Sequence, residues 1–214
     1  MTTCMYKQSE NNAVNELTAY IDRTICITNR ELFNQYHQCH SDDDYLEHIR
    51  RIAATQPRAI ILREKSSGDD FYYSIAGRVI SICESNGVQC ILHTFVDAAM
   101  KLNHRAIHLP MSILRQMTDE QRQFFTILGA SCHSVEEARE AQLLGCTYIT
   151  ASHIFTTECK PDLAPRGLDF LSEVCRAVTI PVYALGGIHP HNAAAAIAAG
   201  ASGVCMMSEF MKIK

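Results

Sequence analysis

Residues 182–190 read VYALGGIHP, a short apolar run followed by two glycines and, three residues later, a proline. Four apolar residues in succession, bounded by turn signals, predict a strand that is buried on both faces. The segment Asn192–Ala199 behind the proline begins with a capping asparagine and is followed by glycine, which predicts a helix. A buried strand followed by a helix is the repeating unit of parallel α/β folds.

The same unit recurs along the whole chain. Seven further apolar, often β-branched runs predict strands at Arg23–Thr28, Ala59–Arg63, Gln89–His93, Ala106–Leu109, Thr126–Ala130, Thr147–Ala151 and Gly203–Met206. Helical patterns with Ser, Asp, Asn or Gly at their ends cover Asp42–Ala54, Phe71–Asn86, Ser134–Leu144 and Leu168–Ala177. Eight strands separated by helices predict an α/β fold whose parallel sheet closes into a (β/α)8 TIM barrel.

The composition gives no sign of an internal domain boundary. The chain has 214 residues, 47% of them hydrophobic and 20% charged, with no Pro/Gly/Ser-rich linker. We assign residues 23–214 to a single compact barrel domain and residues 1–22 to an N-terminal extension, in which Asn11–Ile21 has helical spacing. Only Glu209–Lys214 follow the last strand, too few for a full outer helix. We expect the helical extension to cover the gap beside this truncated last helix.

Charge and cysteine usage restrict the partners and the compartment. The formal charge is -4, so no overall electrostatic attraction favours nucleic acid or a membrane surface. No apolar run approaches the roughly 18 residues that span a bilayer, and the first residues lack a signal core, which predicts a cytoplasmic protein. The ten cysteines form no CxxC pair and lie mostly in apolar segments, so we interpret them as reduced, buried thiols.

The loops after the last two strands predict a phosphate site. In (β/α)8 barrels the site lies at the carboxyl ends of the strands, and phosphate is often held after strands seven and eight. Gly186 and Gly187 allow close backbone approach to an anion at the start of the following helix. Met207 and Ser208 follow strand eight and can complete the same pocket. The alternative for the glycine pair is an ordinary tight turn.

Two further loops bring reactive side chains to the same end of the barrel. Arg63 ends the second strand and could hold a second anion, although an ion pair with Glu64 or a neighbouring loop is the structural alternative. The loop after strand six reads SHIFTTECK, residues 152–160, and contains His153, which can take and give a proton near neutral pH. A buried structural histidine is the alternative. Cys159 could be a nucleophile, but nothing in the sequence indicates a lowered pKa.

The other histidines have ordinary interpretations. We place His37 and His40 in a polar loop, His48 on the outer face of a helix, and His108 in strand four as a packing residue. His189 and His191 could assist phosphate binding or lie in a solvated loop. No HExxH spacing is found and no carboxylate pair lies at the predicted barrel mouth, so the sequence predicts no metal site and no cofactor.

Over nearly its whole length the chain resembles the thiamine phosphate synthase/TenI superfamily. The motifs that support this resemblance are Leu62-Arg63-Glu64-Lys65, the segment Ser131–Ala138, the strand-six loop with Thr157 and Lys160, Ala184–Ile188, and Ala199–Val204 through Ser208. The resemblance implies a small barrel enzyme of the thiazole branch of thiamin biosynthesis, acting on a small thiazole phosphate and usually a homodimer.

The synthase branch of this superfamily differs from the chain at checkable positions. The resemblance implies that synthases hold Mg²⁺ on two aspartates, one in an Asn-Asp pair after strand three and one in a Gly-Gln-Glu-Asp turn after strand four. This sequence has His93-Thr94 and Leu109–Ser112 at those places. It also has Ile61 where synthases have the Gln before the Leu-Arg-x-Lys element.

The strand-six loop resembles that of a TenI-type thiazole tautomerase. Synthases have Gly-Pro-Ile-Phe where this chain has Ser152-His153-Ile154-Phe155, and in the tautomerases a histidine at this place is the acid/base. Ser152, where that family has Gly, is a departure. We therefore predict a thiazole tautomerase, with a thiamine phosphate synthase or a non-catalytic thiazole phosphate-binding regulator as alternatives. His153 is the predicted catalytic residue, and the predicted substrate-binding residues are Arg63, Lys65, Ser131, Thr157, Cys159, Lys160, Gly186, Gly187, Met207 and Ser208.

Overall fold

The strands of the chain close into a barrel. The computed structural model describes residues 19–64, 68–157 and 163–213. Its eight parallel strands pair in sequence order, and β1 also pairs with β8, which closes the sheet. They are β1 (Thr24–Ile27), β2 (Ala59–Leu62), β3 (Gln89–His93), β4 (Ala106–Pro110), β5 (Ile127–Cys132), β6 (Tyr148–Ser152), β7 (Val182–Leu185) and β8 (Gly203–Met206). The predicted TIM barrel is confirmed.

The strands are connected by helices of very different length. In chain order these are α1 (Arg30–His37), α2 (Asp42–Ala54), α3 (Asp69–Ser85), α4 (Val96–Lys101), α5 (Met111–Leu114), α6 (Asp119–Phe124), α7 (Val135–Leu143), α8 (Gly167–Ala177), α9 (Pro190–Ala198) and α10 (Ser208–Met211). The five predicted helices correspond to α2, α3, α7, α8 and α9. α10 is the truncated last helix.

Side chains alternate between two apolar regions. Ile61 and Ile91 belong to the cluster inside the barrel, whereas their neighbours Leu62 and Leu92 pack under the outer helices. This alternation of period two follows from strand geometry. It places every second residue at a strand's carboxyl end inside the mouth of the barrel.

The short α10 packs against the first two helices through hydrogen bonds from two histidines. His48 Nε2 lies 3.0 Å from the Phe210 carbonyl oxygen, and His37 Nε2 lies 2.9 Å from that of Met211. The placement of His48 on an outer face was wrong, because its side chain is buried and burial lowers its pKa to about 4. The placement of His37 in a loop was also wrong, since it ends α1.

The predicted N-terminal helix and the predicted burial of the cysteine thiols have different outcomes. The proposed extension helix Asn11–Ile21 lies mostly outside the described residues, which begin in this region with a turn and a single 3-10 turn at Ile21–Arg23. Six of the cysteines in the described ranges are buried and free, as expected. Burial raises the pKa of Cys132 and Cys146 to about 12, so these thiols are not nucleophiles at neutral pH. None of the described helices is long and apolar enough to cross a membrane.

Candidate active site at the carboxyl ends of the strands

His153 lies directly after β6, with its backbone attached to the β7 loop. The amide of Ile154 donates to the Leu185 carbonyl and that of Phe155 to the Gly186 carbonyl, each at 3.0 Å. The imidazole is buried, and its Nε2 lies 3.2 Å from the Leu163 carbonyl oxygen. Because a carbonyl oxygen only accepts hydrogen bonds, Nε2 bears the proton and Nδ1 of the neutral ring keeps a lone pair.

The glycine pair after β7 is required by this contact. Gly186 and Gly187 both have positive φ, at 97° and 65°. A Cβ on Gly186 would overlap with the Cβ of His153, and one on Gly187 would overlap with the Thr156 carbonyl oxygen. Packing against the strand-six loop therefore explains the two glycines independently of any phosphate, and it places the His153 backbone against the predicted phosphate loop.

The two loops predicted to bind phosphate are held together by polar contacts. Asn192 in the first turn of α9 donates to the Gly187 carbonyl at 2.9 Å and accepts from the His189 amide at 2.9 Å. His189 Nδ1 in turn lies 2.9 Å from Glu209 in α10, which links the β7 and β8 loops. His189 is thus a loop-fixing residue, although its side chain remains partly exposed to solvent. Met207 contributes its side chain to the inside of the barrel mouth.

Below the mouth, a chain of polar side chains crosses β4, β5 and β6. His108 Nδ1 lies 2.9 Å from the Tyr148 hydroxyl, and its Nε2 lies 2.8 Å from the Ser131 hydroxyl. Thr150 is 3.3 Å from the same Ser131 oxygen. Burial, with a smaller effect of the nearby His93, lowers the pKa of His108 well below its usual value. The prediction of His108 as a packing residue is correct for its burial but missed this network.

A second histidine lies on the adjacent strand. His93 ends β3, its ring stacks on that of His108 with centroids 5.9 Å apart, and its Nδ1 lies 2.7 Å from the Thr94 hydroxyl. Burial, followed by the positive charge of Arg63, lowers the pKa of His93 to about 4. The β3–β4 side of the mouth therefore presents neutral imidazoles near a cation.

The Glu64 carboxylate forms an ion pair on the outer side of the barrel mouth. Arg30, at the start of α1, binds Glu64 through Nε at 3.1 Å and Asp42 through Nη1 at 2.6 Å. The Glu64 carboxyl is buried, and burial raises its pKa. The sequence offered an ion pair of Arg63 with Glu64 or a neighbouring loop as the alternative to anion binding. In the structure, the ion-pair partner of Glu64 is Arg30.

His133 was quoted in the sequence as part of a motif but given no role. Its Nδ1 lies 3.0 Å from the hydroxyl and 3.1 Å from the carbonyl oxygen of Ser152, the residue before His153. Its backbone amide donates to Glu137 at 2.7 Å. This acidic residue, four positions later at the start of α7, is a signal that sequence reasoning could have used.

The structure brings most of the predicted site residues to one end of the barrel. His153 is in direct contact with Gly186, and Gly187 packs against Phe155 and Thr156. Met207 follows β8 and Ser208 begins α10, while Ser131 lies near the end of β5 and Arg63 follows β2. Thr157 is half-buried at the end of the described part of its loop. Lys65, Cys159 and Lys160 lie outside the described residues.

Comparison with known proteins agrees with this geometry. The family model described as thiamine monophosphate synthase, TMP-TENI, matches residues 31–210. The chain belongs to the thiamine monophosphate synthase/TenI family. A putative thiamine-phosphate synthase 2 of Aquifex aeolicus is 30% identical over 192 residues, covering 90% of this chain and 99% of that protein. A thiamine-phosphate synthase of Roseiflexus castenholzii is 35% identical over 70% of this chain and 67% of that protein.

A solved structure supports the same assignment. The thiamine phosphate pyrophosphorylase from Pyrococcus furiosus superimposes with a TM-score of 0.74 at 26% identity, covering 90% of this chain and 88% of that one. Membership of the TMP-TENI family identifies the chain as a (β/α)8 enzyme of thiamine biosynthesis.

Proposed function

We propose that this member of the TMP-TENI family is a thiazole tautomerase, which aromatises a carboxy-dihydrothiazole ethyl phosphate to the carboxythiazole ethyl phosphate. The observation that supports this most is the position of His153. The ring is held at the carboxyl end of β6, beside the loops predicted to bind phosphate, with one nitrogen on a backbone carbonyl. A single imidazole can carry a proton shift between two carbons, because it can both accept and donate a proton.

The proposed reaction uses the two nitrogens of His153 differently. Nε2–H remains bonded to the Leu163 carbonyl, and Nδ1 removes the C2 proton of the dihydrothiazole. The electron pair of the broken C–H bond shifts into the conjugated system, and the imidazolium returns the proton to the exocyclic carbon. The substrate is neither oxidised nor reduced, and the histidine ends as it began.

The remaining predicted residues have binding roles in this proposal. The phosphate is assigned to Gly186, Gly187, Met207 and Ser208, at the loops that His189 and Glu209 connect. Arg63 is assigned to the substrate carboxylate. The proposal retains Lys65, Ser131, Thr157, Cys159 and Lys160 as further substrate contacts.

A second candidate is a thiamine phosphate synthase, which the names of the relatives favour. That reaction expels diphosphate, whose charge Mg²⁺ neutralises. Magnesium prefers carboxylate and other oxygen ligands. The ends of β3 and β4 here carry His93, Thr94 and Pro110, and the described part of the chain has no group of three His, Cys, Asp or Glu side chains that could hold a metal. These residues do not fit the magnesium site that the resemblance implies.

Parallel assays of the wild-type chain separate the candidates. The first follows aromatisation of the carboxy-dihydrothiazole phosphate by thiazole absorbance in EDTA. The second supplies thiazole phosphate, the pyrimidine diphosphate and Mg²⁺, and follows thiamine phosphate. We expect turnover in the first assay only. Turnover in the second alone identifies a synthase, and tight binding of the product without turnover in either identifies a binding protein.

A further inference from the structure

Arg63 and His93 occupy equivalent positions on neighbouring strands. The last ladder pair between β2 and β3 is Leu62 with Leu92, so each residue follows directly after that pair. Two residues earlier, Ile61 and Ile91 lie inside the barrel. Because strand side chains alternate, Arg63 and His93 point to the same side, into the mouth.

The orientation of the His93 ring is fixed from two directions. Thr94, whose hydroxyl lies 2.7 Å from Nδ1, has a φ of 73°, which a β-branched residue rarely adopts. Its amide donates to the His108 carbonyl at 3.1 Å, and the His93 ring stacks on the His108 ring. Because the Thr94 hydroxyl contacts Nδ1, Nε2 is the other ring nitrogen that can bind a ligand. The ring therefore presents Nε2 to the mouth when the Thr94 hydroxyl donates to Nδ1.

The charges around this ring are arranged asymmetrically. Burial and the nearby Arg63 cation keep the ring neutral by lowering its pKa. The buried carboxylate closest in sequence, Glu64, is bound by Arg30. His108 behind the ring is neutral as well. At the ends of β2 and β3 the Arg63 cation thus lies near a neutral imidazole, whose Nε2 carries the proton when the Thr94 hydroxyl donates to Nδ1.

We propose that Arg63 and His93 form the subsite for the carboxylate of the thiazole substrate, with the guanidinium supplying charge and His93 Nε2–H a directed hydrogen bond. This assignment rests on the proposed function. Cations paired with oriented N–H donors are the usual partners of carboxylates in proteins. His93 is then a specificity-determining residue, because a carboxylate in its place would repel the same ligand.

A ligand pair that differs only in the carboxylate tests the subsite. Binding of carboxythiazole ethyl phosphate and of thiazole ethyl phosphate without the carboxylate is measured by calorimetry. In His93→Asp the Kd of the carboxylated ligand is expected to rise by about 30-fold, and that of the other ligand by less than about threefold. His93→Gln, which keeps an N–H donor, should restore most of the affinity.

The control variant is His104→Gln. His104 precedes β4 at the opposite end of the barrel, where its Nε2 bonds the Cys90 carbonyl at 3.0 Å. The Kd values of both ligands should be unchanged in His104→Gln. Thermal melting of every variant separates loss of the ligand site from loss of folding.

The outcomes distinguish this subsite from the proposed function. Equal changes of both Kd values in His93→Asp would overturn the subsite, even in a chain that turns over. The wild type could bind both ligands without turnover while His93→Asp loses affinity only for the carboxylated ligand. That result would support the subsite and contradict the tautomerase. A wild type that binds neither ligand contradicts both.

Discussion

The two sides of the barrel mouth use the same side chain in different ways. On the β6–β7 side, His153 is bonded to a backbone carbonyl and packed against Gly186. On the β3–β4 side, His93 and His108 are bonded to hydroxyl groups, and His93 lies near Arg63. All three imidazoles are at the same end of the fold.

The hydrogen-bond partners explain the difference. A carbonyl oxygen accepts from Nε2–H in both the neutral and the protonated imidazole, so the His153 ring keeps its position when Nδ1 gains a proton. Burial instead holds His93 and His108 neutral, and at His93 the positive charge of Arg63 adds to this effect. In the proposed reaction, the β6–β7 side therefore carries the proton transfer and the β3–β4 side the recognition of the substrate.

The largest effect on stability is expected from Gly186→Ala. The new Cβ meets the Cβ of His153, and the residue must keep a φ of 97°. We expect a loss of about 3 kcal/mol in the free energy of unfolding, together with a large fall in kcat, because His153 must move. Urea unfolding and turnover measure the two effects.

Gly145→Ala is the matched control for this substitution. Gly145 also has a positive φ, at 89°, but a Cβ there has no heavy atom within 4 Å. Gly145→Ala should lower the free energy of unfolding by only about 1 kcal/mol and leave kcat unchanged. Equal losses for the two variants would mean that the contact between Gly186 and His153 is unimportant.

An intermediate effect is expected from His108→Leu on the recognition side. The buried Tyr148 hydroxyl loses the partner that lies 2.9 Å away, which should lower the free energy of unfolding by about 2 kcal/mol. Adding Tyr148→Phe removes the unpaired hydroxyl, so the double variant should be less destabilised than the sum of the single ones. Strictly additive losses would show that the two side chains are not coupled.

A pH-dependent effect of similar size follows from His93. Its pKa of about 4 in the folded protein lies below the ordinary 6.5, so the unfolded chain binds the proton more readily. The stability associated with neutral His93 is complete above pH 6.5 and is lost as the pH falls towards 4. Between pH 7 and 4.5, the free energy of unfolding of the wild type should fall by about 2 kcal/mol more than that of His93→Gln.

Replacing Arg63 tests the origin of the lowered His93 pKa. In Arg63→Gln the pKa of His93 should rise, because the positive charge that helps to lower it is gone. Titration of the ring by NMR measures this directly. An unchanged pKa would show that Arg63 does not face His93.

The sequence was sufficient to predict the strands and the longer helices. Continuous apolar runs such as Val182–Leu185 need burial on both faces, and this signal does not depend on which elements pack against them. The helices α1, α4, α5 and α6 were missed because four to eight residues give too few turns for a clear period. His48 was misplaced because its burial depends on α10, which returns from the far end of the chain.

The candidate site was predicted less completely than the fold. The loop positions of His153 and Gly186 follow from the barrel rule that places sites at the carboxyl ends of strands. The contact between them, and the chain from Tyr148 through His108 to Ser131, depend on side-chain packing across strands that are distant in sequence. No local pattern contains that information.

The most direct test of the central claim is the rate of aromatisation by His153→Ala in EDTA, measured beside the Kd of the product. If His153 is the acid/base, kcat should fall by roughly 10²- to 10⁴-fold while the product Kd changes by less than about threefold. A variant that retains the wild-type kcat would contradict the assignment of His153 and, with it, the division of the mouth into a catalytic and a recognition side.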